Sequence, residues 1–122
     1  MAQNIIDPEL LELIRRTLQA GWISVYCDIA GDYKEYTVPL ADDKLLILSR
    51  ALVVSDATET IYDYTLNIAG QDIAQTFISS KNKMPSENDQ VILSLFTQCA
   101  REIITQEMRA LFHSHRDKKH SS

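Results

Sequence analysis

The last third of this 122-residue chain carries an apolar pattern that is too long for the body it belongs to. From Val91 onward, Ile92, Phe96, Cys99, Ile103, Met108, Leu111 and Phe112 recur at helical spacing. Ser86, with Asp89 three residues on, resembles a capping box in which Asp stands for the usual Glu or Gln. A helix over 86–112 has about 26 residues and reaches ~40 Å, whereas a single domain of this length is about 30 Å across. The distal turns must then project beyond whatever the proximal turns cover. Met108, Leu111 and Phe112 are therefore expected at an exposed apolar tip that suits a partner chain, and a homodimer is the simplest form.

The start of the chain sets a second helix. Asp7-Pro8-Glu9 supplies an N-cap, a proline at the first helical position and an acid in the first turn. Leu10, Leu11, Ile14 and Leu18 follow at helical spacing with Leu13 beside them, and Gly21 is placed where a left-handed closing residue is wanted. This predicts a helix over 8–20.

Between the helices the period drops to two. In WISVYCDIA, Ile23, Val25, Cys27 and Ile29 share one face, predicted to be the core face, and Ser24, Tyr26 and Asp28 share the other. After a turn at Gly31, Tyr36, Val38 and Leu40 fall on one side, and Pro39 ends the strand. TIYDYTLNIA and QDIAQTFIS form a second strand pair, with Tyr62, Tyr64, Leu66 and Ile68 inward. Residues 44–54 read either as a strand or as a helix capped by Asp42; the β-branched residues at 47, 53 and 54 favour the strand.

The stretches CDIAGDYKEYT and LNIAGQDIAQT share Ile-Ala-Gly at an offset of 39, and their inward positions coincide. A duplicated hairpin-plus-helix unit would explain this and would make 44–54 a helix. Two hairpins that meet the same turn requirement would explain it as well, because tight turns call for Gly and Asp. The expected architecture is α+β: an N-terminal helix, an antiparallel sheet of four or five strands built from two hairpins, and a long C-terminal helix packed on the sheet. Residues 1–112 form one domain, and 113–122 form a disordered basic tail holding His113, His115 and His120.

Composition narrows function mainly by exclusion. Net charge is −5, and the last ten residues hold a local +2, so residues 1–112 carry −7. An acidic body repels phosphate backbones, which argues against nucleic acid and for a protein partner, one of basic character. No apolar run approaches the ~18 residues of a membrane span. MAQNIIDPELLE does not read as a signal peptide, and Cys27 and Cys99 read as buried free thiols, so the cytoplasm is the expected compartment.

No constellation calls for chemistry. Each Ile-Ala-Gly turn has one glycine between two strands, which is not a phosphate cradle. The histidines all lie past the last apolar residue, away from any acid or cysteine set, so no metal, no cofactor and no catalytic residue is expected. Asp28 and Asp63 within strands, and Ser79 to Lys83 before the last helix, read as solvated polar surface. Trp22, Tyr26 and Tyr33 fall on or near the face opposite the first hairpin's core face, as candidates for partner binding with Met108, Leu111 and Phe112. The alternative is that a helix covers each face of the sheet.

Size, acidity and helix–strands–helix order together resemble those of specialised secretion chaperones and of small immunity or inhibitor proteins. Residues 55–59, however, leave no room for the helix usual between the third and fourth strands of the chaperones. The expected function is a non-catalytic protein-binding module. The competing expectations are a structural subunit of a larger assembly, for instance of phage origin, or a small-ligand binder or enzyme using the cup between sheet and helix.

Overall fold

The computed structural model describes residues 6–120, the last six of them as backbone. Helix α1 (Pro8–Ala20) is followed by strands β1 (Ser24–Cys27), β2 (Tyr33–Pro39), β3 (Leu45–Ser55), β4 (Thr60–Ile68) and β5 (Gln71–Ser79), then by helix α2 (Glu87–His120). The strands form one antiparallel sheet in the order β1-β2-β3-β4-β5, a plain meander. The fold is α+β, with the long C-terminal helix packed on the sheet.

Both helix starts follow the local chemistry. Asp7 Oδ2 accepts a hydrogen bond from the Leu10 amide, and Pro8 opens α1. At α2, the Asp89 amide donates to Ser86 Oγ, while the Ser86 amide donates to Asp89 Oδ2. Thr76 Oγ1 of β5 donates to the other oxygen of Asp89 at 2.6 Å, so the cap also ties the helix to the sheet.

Gly21 is a correction. Its backbone is extended (φ −85°, ψ 167°) rather than left-handed. The constraint on it is space: a Cβ at this position would lie 2.6 Å from Val38 Cγ1 and 3.0 Å from the Thr17 carbonyl oxygen. The chain needs glycine here to turn from α1 onto the sheet against a fully buried valine.

Residues 45–55 are a strand, which removes the duplicated-unit reading. The two Ile-Ala-Gly turns also differ. Ala69 (φ 54°) and Gly70 (φ 87°) are the two central residues of a tight hairpin in which Ile68 pairs with Gln71. Positive φ at both centres is what a type I′ turn requires. The first turn is longer, since Cys27 pairs with Lys34, and only Gly31 (φ 79°) takes positive φ. There Asp28 organises the loop, its carboxylate accepting from the amides of Asp32 and Tyr33.

The core lies between one face of the sheet and both helices. Ile14 and Leu18 of α1, with Ile92, Leu95 and Cys99 of α2, form a single cluster with Tyr36, Val38, Leu46, Leu48, Tyr64 and Leu66. All six sheet residues occupy the same side of the pleat by register. Helix meets helix through Arg15, whose Nη2 donates to Ser94 Oγ and whose carbonyl accepts from Gln98 Nε2. The sheet thus has a helix-covered face and an open face, not one helix on each.

α2 crosses the sheet and leaves it. Asp89 sits at β5; Phe96 packs edge-on against Tyr64 of β4 and Tyr36 of β2; Gln106 reaches the residue before β1, accepting from the Ile23 amide and donating to its carbonyl. Past Gln106 there is no further strand to cover, yet the helix continues to His120. The sequence reading ended it at Phe112 and expected an aperiodic tail; helical backbone runs eight residues farther. None of the helices among the described residues is long and apolar enough to cross a membrane.

Candidate protein-docking surfaces

The aromatic candidates divide between two places. Tyr26 and Tyr33 sit together on the open face, ring centroids 6.3 Å apart at 52°. The register puts them there, since Tyr26 pairs with Glu35 and Tyr33 with Ala51 on the side of the pleat away from the core. Tyr33 Oη donates to Glu35 Oε1 at 2.6 Å, and Thr37 Oγ1 donates to Glu35 Oε2. Burial first, then the hydrogen bond to Glu35 and its charge, hold the Tyr33 phenol above its usual pKa. The result is a braced pair of rings with a fixed carboxylate beside them.

Trp22 does not join this pair. It precedes β1 and lines a shallow groove of about 320 Å³ with Gln19, Gln106, Arg109, Ala110 and His113. Sequence alternation grouped Trp22 with Tyr26, but the chain is still turning out of α1 at Trp22, and strand pairing begins only at Ser24.

The other expectations for this hairpin also need correcting. Val25, Cys27 and Ile29 are exposed instead of buried, and only Ile23 reaches the core. α2 passes over the entry to β1, at Ile23, and β1 is an edge strand, so none of the described residues covers the rest of its inward side. Cys99 is buried, as expected, and burial pushes its thiol up to about 12.

The open face has a one-signed charge. Glu35 and Asp63 point to it, as does Asp72, which pairs with Asn67 next to the β4–β5 turn. The strands' two basic residues, Lys34 and Arg50, are cross-strand partners on the opposite side. There Lys34 lies over the Tyr36 ring, and Arg50 lies over Tyr62 and Phe96 at 4.6 and 5.6 Å. Arg50 thereby interrupts the Leu46, Leu48, Leu52 alternation by stacking on aromatic faces. Among the described residues no Lys or Arg forms an ion pair with Glu35, Asp63 or Asp72; the one ion pair is Arg16–Glu12 on the α1 surface. Phe77, more than half exposed, adds a third ring to this face opposite Asp63.

The second surface is the end of α2. Ile104 and Met108 are 60% and 53% exposed, Leu111 and Phe112 73% and 66%, and their spacing of four, three and one residues keeps them on one side of the helix. They face away from the core side used by Ile92, Leu95, Cys99 and Gln106. Sequence reasoning found Met108, Leu111 and Phe112 through helix length; it missed Ile104, which the unbroken apolar pattern hid among core positions.

The side chains of His115 and His120 lie outside the described residues. Among those described, no group of three His, Cys, Asp or Glu converges as metal ligands would. At the start of α2 the chain caps itself, the Asp89 amide donating to Ser86 Oγ and the Ser86 amide to Asp89 Oδ2. No family model matches the chain, and no curated protein or solved structure matches it either.

Proposed function

We propose that this protein is a non-catalytic binding module that holds a basic segment of another protein against the open face of its sheet. The observation that carries this reading is the bare five-stranded face, which presents Glu35, Asp63 and Asp72 with Tyr26, Tyr33 and Phe77, while the strands' two bases point the other way. A sheet face with aromatic anchors in a field of one sign selects partners of the opposite sign and speeds their encounter. Holding a partner without transforming it is the work of a chaperone, an immunity protein or an inhibitor.

The test is affinity capture from the native host with the wild-type chain and with a Tyr26→Lys, Asp63→Lys double variant of equal thermal stability. The expected result is a basic protein recovered stoichiometrically by the wild type, lost with the variant, and released as salt rises toward a Debye length of ~3 Å at 1 M. Recovery of the same proteins by both chains would refute the reading.

A further inference from the structure

The two helices do not roof the whole of the sheet face they share. α1 closes on the Val38 end of β2, where Gly21 seats it, and α2 crosses over Tyr36 and Tyr64. Lys34 and Arg50 lie at the far side of α2 from α1, four residues and about 13 Å along β2 from Val38. Beside them on the same face run Leu52, Tyr62 and Ile78, one row of the register, and all five side chains are half-buried.

This strip carries two cations without an anion. Lys34 and Arg50 are direct cross-strand neighbours, and like charges so placed repel. Among the described residues no acid forms an ion pair with either. Asp28, in the adjoining β1–β2 turn, spends its carboxylate on the amides of Asp32 and Tyr33. The neighbours of the cations are rings instead: Lys34 Nζ lies 5.5 Å from the Tyr36 centroid, and the Arg50 guanidinium 4.6 Å from Tyr62 and 5.6 Å from Phe96. Burial raises the pKa of the Tyr64 phenol and the charge of Arg50 opposes the rise, so a neutral hydroxyl is the polar group beside the guanidinium. Arg50 Nε is buried and has no acceptor. A half-buried cation set among rings, a phenol and a second cation lacks the counter-charge that such groups ordinarily keep.

We propose that Lys34 and Arg50 form a binding site for a carboxylate carried on an apolar frame, the carboxylate bridging the two cations and the frame lying on Leu52, Tyr62 and Ile78. The planar fork of an arginine meets a carboxylate with two parallel hydrogen bonds. A bridging anion also turns the cross-strand repulsion into two attractions. A phosphate, with three strong acceptor oxygens, calls for more donors than this strip of rings and aliphatic side chains supplies. The carboxylate has two sources of the same chemistry, a small organic acid and an Asp or Glu side chain flanked by apolar residues on a partner protein. The site lies on the opposite side of the sheet from Tyr26, Tyr33 and Phe77, so it stands or falls separately from the open-face reading.

An NMR titration of the nitrogen-15-labelled full chain with sodium phenylacetate tests the site, with phenylacetamide as the uncharged match and inorganic phosphate as the competing anion. Phenylacetate is expected to bind saturably in the millimolar range, as suits a ligand of its size, and to shift the Lys34 and Arg50 amides and the Arg50 Nε–H. Phenylacetamide is expected to leave them in place. Arg50→Lys keeps the charge and loses the fork; it and Lys34→Met are each expected to weaken binding on the order of tenfold. If Arg50→Lys loses its fold by circular dichroism, Lys34→Met carries the test. An amphipathic Leu/Glu peptide and its Leu/Gln counterpart identify the source. Tighter binding of the Glu peptide than of phenylacetate, at the same amides, assigns the site to a partner's acidic side chain, and weaker binding assigns it to a free acid. The proposal is overturned if phenylacetate gives no saturable shift, if phenylacetamide or phosphate binds as tightly, or if folded variants bind phenylacetate as the wild type does.

Discussion

Gly21 and the two cysteines show how much a single residue is decided by what lies opposite it. At Gly21, the missing Cβ is what lets the α1–β1 turn sit on Val38. Gly21→Ala is expected to lower stability by about 1–3 kcal/mol, the usual cost of forcing a methyl group into a packed core, measured by denaturant unfolding. The sequence marked Gly21 correctly as a punctuation point but for the wrong reason, since a close approach to a residue seventeen positions away leaves no local trace. The cysteines make the same point. Cys99 is buried with its thiol pushed up to about 12, and Cys27 is exposed. Iodoacetamide at neutral pH is expected to modify Cys27 alone in the native protein and both thiols after unfolding. Both residues sit in period-matched apolar runs, and only the path of α2 tells them apart.

Among the elements, the legible ones carry their own signals. The Pro8 start, the Ser86–Asp89 cap and the alternation of β4 are all fixed by neighbours in sequence. The β3–β4 hairpin adds a device of the same local kind. The Asp56 carboxylate accepts from the Thr58 amide, the Thr58 hydroxyl and the Glu59 amide at 2.8–2.9 Å. Those bonds, the Thr58 amide first, hold its pKa below the usual carboxylate value. A lowered folded-state pKa gives a contribution fully present above the unfolded value of ~3.9 and lost as pH falls through the lower folded one. The protection factors for amide exchange at Thr58 and Glu59, relative to the free-peptide rate at each pH, are accordingly expected to fall below about pH 4, and Asp56→Ala to remove that change. What no element announced was which sheet face it would leave bare: alternation in β2 and β5 is equally consistent with helices on one side or on both. The division of Trp22 from Tyr26 was hidden for the same reason, because strand period was extended one turn too early.

At the scale of the whole molecule, the sheet is local and its closure is not. Every strand pairs with its sequence neighbour, but the cover depends on Arg15 meeting Ser94 and Gln98, and on Ile23 meeting Gln106. Gln106→Ala would leave the Ile23 amide and carbonyl without those bonds beside a buried side chain, at a cost of about 1–3 kcal/mol. It is expected to lower the melting temperature while leaving the β3–β4 and β4–β5 amides the slowest to exchange. A change in melting temperature of less than a degree would mean that the amide clasp is incidental to the seating of α2.

That clasp also orders events on the ribosome. The meander is complete once Ser79 has emerged, yet Leu46, Leu48 and Leu66 have only α1 to shelter them until α2 is synthesised. Translation must proceed past Gln106 before the first helix and the first strand are pinned from above. The nascent chain therefore passes through a stage with a formed sheet and half a roof, its greasiest surface bare and an unblocked edge beside it, until α2 is free to dock.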